Sequence, residues 1–161
     1  MLTDTLKTLF SRDLDKLKQE LELYNSEDNI WRIDKDILNS AGNLCLHLVG
    51  NLNTYFGTVL GNTGYIRNRP EEFSLRNTPR QELIVRIEQT IKMLQPVLDS
   101  LTDEQLQSEY PQQVFDYKMS TEYFLVHLEF RRVVVQQSSL YWSPLRSSVY
   151  KSGSIRARRR R

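Results

Sequence analysis

Ser40-Ala-Gly-Asn-Leu-Cys-Leu-His47-Leu-Val-Gly-Asn-Leu-Asn53, continued by Thr54-Tyr-Phe-Gly-Thr-Val-Leu60, decides the fold class. Leu44, Leu48 and Leu52 recur at four-residue steps, and Tyr55, Phe56 and Val59 prolong the stripe. That spacing is the pitch of a helix with one buried face, not the two-residue alternation of a strand. Ser40 is the right residue type to cap the first turn. A helix is therefore expected from Ser40 to about Leu60, ended by Gly57, Gly61 and Gly64. Gly61-Asn62-Thr63-Gly64 reads as a tight turn; without a following Gly-Lys-Ser/Thr it is no P-loop. Cys45 lies in the apolar run and reads as a small core residue. His47 and Asn51 fall beside the stripe, one turn apart.

The same pitch extends outward from this stretch. Upstream, Leu6, Phe10, Leu14, Leu17, Leu21 and Tyr24 mark an amphipathic helix over about Thr3 to Tyr24. Asn25, Ser26, Asp28 and Asn29 end it, and a connecting segment with Trp31, Ile33 and Ile37 follows, Trp31 packing over one end of the molecule. Downstream, Tyr65 to Asn77 reads as a charged loop. Thr78-Pro79-Arg80-Gln81 predicts a helix start with Thr78 as cap, Pro79 at the first helical position and Gln81 closing a capping box. Leu83, Ile84, Ile87, Ile91, Leu94 and Leu98 give that helix its buried face, with a kink expected at Pro96. Thr102-Asp-Glu-Gln105 repeats the capping box and predicts a short extra helix. Tyr110 to Lys118 has no helical period. Ser120 then opens a last helix with Phe124, Leu125, Leu128, Val134 and Val135 as core candidates, fading near Trp142. Val133-Val134-Val135 forms helix weakly and is read as helix because no break signal interrupts it, with a short strand as the alternative.

Four helices, a long connection between the first two and a short extra helix before the last predict an all-α four-helix bundle. The 161 residues, 39% hydrophobic and 26% charged, suit one globular domain. No apolar run approaches the ~20 residues of a membrane span, and Met1 to Phe10 does not read as a signal peptide. With Cys45 as the one cysteine, no internal disulfide forms, and a cytoplasmic location is the expectation. The formal net charge is +2, but seven of the 22 basic residues lie from Pro144 onward with no acid among them. Residues 1–143 thus hold 15 basic against 20 acidic groups, a net of −5. The expected layout is a bundle over residues 1–143 and a basic, disordered tail over 144–161. The Arg158 to Arg161 run has two readings, a solvated tail or a contact for phosphates. No aromatic residue is interleaved with those arginines to stack on bases, so nucleic acid is not the expected partner.

Two features carry candidate chemistry. His47 and His127, the two histidines, each fall mid-helix near an apolar stripe. They read either as hydrogen-bonded core residues or as two ligands of zinc, nickel or iron in a bundle cavity. A catalytic zinc ordinarily has three protein ligands, one more than these histidines supply. Arg67 and Arg69 read either as anchors for an anionic substrate at the bundle mouth or as ion-pair partners of Glu71 and Glu72. No nucleophile–His–acid set, CxxC, HExxH or dinucleotide fingerprint is present.

The Ser40–Asn53 stretch, with its His47-Leu-Val-Gly-Asn-Leu52, followed by Phe56-Gly57, Leu60-Gly61, Gly64-Tyr65, Arg67, Arg69 and Glu72-Phe73, resembles a bacterial branch of the DinB-like (DinB/YfiT) superfamily. Ser120 to Leu128 resembles the opening of that branch's last helix, so the likeness spans about residues 3–128. It implies an up-down-down-up four-helix bundle, often dimeric. It also implies a divalent metal on three histidines serving metal-dependent transferase or hydrolase chemistry, some of it on thiols. The first ligand of that set matches His47. The other two are implied four and eight residues beyond the position matching His127, where this chain has Arg131 and Val135. Val135 offers no donor and Arg131 stays protonated, so the implied site is degenerate here. The alternative that follows is a metal-free binding or dimerisation module.

Overall fold

A computed structural model describes residues 1–33 and 39–129. Among them every regular element is helical, and no strand forms. Helix α1, Leu2–Glu22, buries Leu6, Phe10, Leu14, Leu17 and Leu21, the same residues that mark its periodicity. It lies along α5, Arg80–Ser100, in the most extensive helix–helix contact among the helices from residue 2 to residue 107. Leu83, Ile87, Leu94 and Leu98 of α5 complete that core. Pro96 sits inside α5, which continues to Ser100. At ~25 cal/mol per Å2 of apolar surface removed from water, each fully buried side chain of this seam contributes about 1.5–3 kcal/mol. The ion pairs that flank it, Lys18–Glu88 at 2.9 Å and Lys7–Asp99, are exposed on their acidic side and contribute far less.

Among the described residues, the connection after α1 contains a single helical turn, α2 (Glu27–Ile30). It carries Ile30 and Trp31 into the core. The Trp31 ring lies directly on Gly42, where a Cβ would stand 2.7 Å from ring carbons. Only glycine leaves that space.

Helix α3, Ala41–Leu52, begins where the sequence places it: Ser40 Oγ accepts from the Asn43 amide at 3.1 Å. It does not run to Leu60 as one α-helix. From Asn53 to Thr58 the backbone widens into a π-helix, with five-residue bonds from Val59 N–H to Thr54 C=O and from Gly61 N–H to Phe56 C=O. Side chains compete for the carbonyls at this point. Asn53 Nδ2 donates to Val49 C=O and Thr54 Oγ1 to Gly50 C=O, a pattern that loosens α-helical geometry. The turn that follows has left-handed backbone at Asn62 (φ 49°) and Gly64 (φ 72°).

The expected loop from Tyr65 to Asn77 contains a further helix, α4 (Arg69–Ser74). Pro70 sits in its first turn, where no amide is needed. Its far end is held by a buried side chain: Asn43 Nδ2 donates to Glu72 C=O at 2.9 Å and to Leu75 C=O at 3.0 Å. Thr78 does not cap α5. The backbone is still extended at Pro79 (φ −54°, ψ 141°), which is itself the N-cap residue, and no side-chain cap bond forms. The chain enters the helix one residue later than the motif suggests.

At α6, Asp103–Gln107, both bonds of the expected capping box are present. Residues 110–119 are irregular and are clasped at their base by Tyr110 N–H to Met119 C=O and Thr121 N–H to Ser108 C=O. Helix α7 covers residues 121–129, with the Ser120 hydroxyl accepting from the Tyr123 amide. Its Phe124 and Leu125 are fully buried. Arg131, Val135, the expected continuation to Trp142 and the basic stretch 144–161 lie outside the described residues. No helix among the described residues is long and apolar enough to cross a membrane.

Candidate functional site

A cavity of about 330 Å3 opens between α3, the π-helical turn, the 65–69 segment and α7. Its size falls at the lower end of small-molecule pockets. Two successive turns of α3 present His47, Leu48, Asn51 and Leu52 to it, and the π-helical turn adds Tyr55. The wider turn keeps Tyr55 on this wall, where its ring meets Phe124 edge-on at 5.2 Å. Tyr110 braces the turn by donating its hydroxyl to Tyr55 C=O at 2.7 Å. Val114, Phe115, Phe124 and Leu128 line the opposite side, while Arg67 and Arg69 stand at the polar edge.

Both histidines singled out by the sequence reach this one cavity. His127, on α7, faces Phe115 edge-on at 5.1 Å and stacks with Tyr123 at 6.4 Å. His47 is held on both ring nitrogens. Nδ1 lies 2.8 Å from Glu72 Oε2, and Nε2 lies 3.0 Å from Asn51 Nδ2. With the amide as donor, Nε2 accepts and Nδ1 carries the proton that Glu72 receives. Burial holds the His47 pKa below its usual 6.5; the Glu72 carboxylate opposes that shift, and Arg67 and Arg69 add to it. The ring is therefore neutral at pH 7, and its contact with Glu72 is a hydrogen bond rather than an ion pair.

Glu72 is the centre of the polar edge, and the sequence reading did not single it out as one. Arg67 grips it with two bonds, Nε to Oε1 at 2.6 Å and Nη2 to Oε2 at 2.8 Å. The same carboxylate orients His47, so one buried anion serves a guanidinium and an imidazole together. Space for it comes from Gly50, where a Cβ would lie 2.1 Å from Glu72 Oε1. The ion-pair reading thus holds for Arg67, whose partner is Glu72 and not Glu71. Arg69 behaves differently: its side chain makes no hydrogen bond or ion pair among the described residues. Asn51 was visible as the residue one turn from His47. Glu72 carried no comparable signal, because it lies 25 residues from His47 and reaches it only through α4.

Cys45 is fully buried, and burial pushes its thiol up to about 12, far from thiolate reactivity at neutral pH. No group of three His, Cys, Asp or Glu side chains able to hold a metal ion occurs among the described residues.

Fold and site together define a helical domain with an apolar cavity edged by imidazole, amide and guanidinium groups. Residues 4–112 match the family described as Protein of unknown function (DUF1572), and the chain belongs to that family. No curated protein and no solved structure matches it.

Proposed function

We propose that the chain is a small-molecule-binding helical domain whose ligand occupies the cavity shared by His47 and His127. One observation carries this reading. Two imidazoles, the Asn51 amide and two guanidiniums converge on a cavity otherwise walled by Tyr55 and by Leu48, Leu52, Val114, Phe115, Phe124 and Leu128. A few convergent polar groups on an apolar wall is the composition of a ligand site. In this reading the four-helix course and the DinB-like ancestry implied by the sequence stand, and the cavity outlives the metal site.

The donors among the described residues do not fit a resident divalent ion. His47 Nε2 is taken by Asn51, two arginines stand beside the ring, and the positions matching the remaining ligands are Arg131 and Val135. A metal-dependent transferase or hydrolase is the competing reading. It is favoured by one feature, the Glu72 carboxylate on His47 Nδ1, since metal-binding histidines are commonly oriented in that way.

Histidine-selective NMR tests the proposal directly, because the chain has two histidines and both line the cavity. Small aromatic fragments are expected to shift both resonances, and Val114→Trp, which fills the cavity, is expected to suppress the shifts. If no fragment moves either resonance in the folded protein, the cavity is not a binding site. Bound Zn, Ni, Fe and Mn measured on the purified protein decide the competing reading. A stoichiometric ion that is lost in His47→Ala would restore it.

A further inference from the structure

The two arginines at the cavity edge are chemically unequal, and that inequality specifies a ligand class. Arg67 is neutralised: its Nε and Nη2 both donate to the carboxylate of Glu72, which is itself buried. Arg69 keeps a full positive charge at the same edge, two residues away, with no carboxylate spent on it among the described residues. Glu71, its sequence neighbour in α4, pairs with neither arginine. On the described wall, the cavity therefore presents one uncompensated cation. Of the other polar groups there, His47 and Asn51 are bonded to each other, and Tyr55 is an uncharged phenol.

We infer that the cavity takes a small oxyanion, a carboxylate or phosphate monoester on a compact apolar body, with Arg69 receiving the charged end. This rests on the cavity being a ligand site. The guanidinium fork suits either anion, since it offers paired donors to two oxygens. The Asn51 amide lies on the same wall and can turn a donor toward the anion. The apolar body would sit against Leu48, Leu52 and Phe124, a wall that offers no counterpart to a second charge. A dianionic or zwitterionic ligand with charges at both ends does not match that wall.

Three probes separate this inference from the reading beneath it: benzoate, phenyl phosphate and neutral benzyl alcohol. Each is titrated into the full chain while both histidine resonances are followed. At least one anion is expected to bind about tenfold more tightly than benzyl alcohol, the ratio that one charge-assisted contact supplies. Arg69→Gln should erase that advantage, and Arg69→Lys should retain part of it. Arg32→Gln, an exposed arginine outside the cavity, should change nothing. Which anion binds more tightly identifies carboxylate or phosphate as the recognised group. Equal binding of anions and alcohol, or an anion preference that survives Arg69→Gln, overturns the anion assignment and leaves the cavity reading standing. Failure of all three probes to move either histidine resonance overturns both. Arg69 is exposed, so its variants are expected to keep the parent's melting temperature, and an unchanged melt certifies each comparison.

Discussion

The α1–α5 seam and the α3–α4 junction solve the same packing problem with opposite materials. In the seam, Leu6, Phe10, Leu14, Leu83, Ile87 and Leu98 are buried side by side, and charged groups stay at the margins. At the junction, Asn43, His47, Arg67 and Glu72 are packed together, and two of them, Asn43 and Glu72, are as buried as the leucines. Burying such groups is costly unless their donors and acceptors find partners, and here the partners lie within 3.0 Å. An apolar seam tolerates exchange of one hydrocarbon for another. A polar junction does not, because removing one member leaves the others buried and unpaired. That intolerance is the mark of a place kept for its geometry, and the cavity opens on this side of the molecule.

The comparison can be broken in several ways. Phe10→Ala should cause the largest loss, about 4 kcal/mol by urea unfolding, with the histidine resonances near their parental positions at low denaturant. Glu72→Ala should cost about 3 kcal/mol, because Arg67 loses its counter-ion in a partly buried position. Unlike Phe10→Ala, it should also move the His47 resonance strongly; if His47 is unmoved, the carboxylate does not orient the ring. Gly50→Ala is expected to cost about 2 kcal/mol through the same carboxylate, since the new methyl displaces Glu72. Combined with Glu72→Ala, its effect should shrink, and full additivity of the two would show that they act separately. Thr102→Ala, which removes one half of the α6 capping box, should cost about 1 kcal/mol and leave both regions alone.

The smallest expected effect is the pH dependence carried by His47. Its folded-state pKa lies below the unfolded value of 6.5. The unfolded chain therefore binds the proton first as pH falls. Stability from this group is complete above pH 6.5 and is lost as pH drops from there toward the folded pKa. Between pH 7.5 and 5 the parent should lose more stability than His47→Gln, as read from paired urea midpoints. Equal losses would show that the ring titrates alike in both states.

The seam was legible in the sequence because its information is local: Leu6, Phe10, Leu14 and Leu17 spell their own helix face. Ser40 and Thr102 were equally legible, as each caps a helix through an amide three residues on. Thr78 shows the limit of such motifs. Its signature is intact, yet Pro79 remains extended and the helix starts beyond its reach. The junction could be read only in fragments. His47, Arg67 and Arg69 stood out by chemistry, and bonding to Glu72 was foreseen as one option for the arginines. Nothing local divided the two arginines, because the choice was made by α4, a helix hidden within a charged loop. The π-helical turn was likewise invisible, as Asn53 and Thr54 favour it only through carbonyls one turn back.

That wider turn has a consequence for comparing this chain with its relatives. It holds one residue more than an α-helix of the same rise would need, so the chain beyond it is rotated by roughly 100° against the continuation of α3. A relative lacking a single residue between 53 and 58 would keep His47 and Asn51 in place but swing its aromatic partner of Phe124 off the wall. Length variation at this one point would remodel the cavity while every other position still aligns.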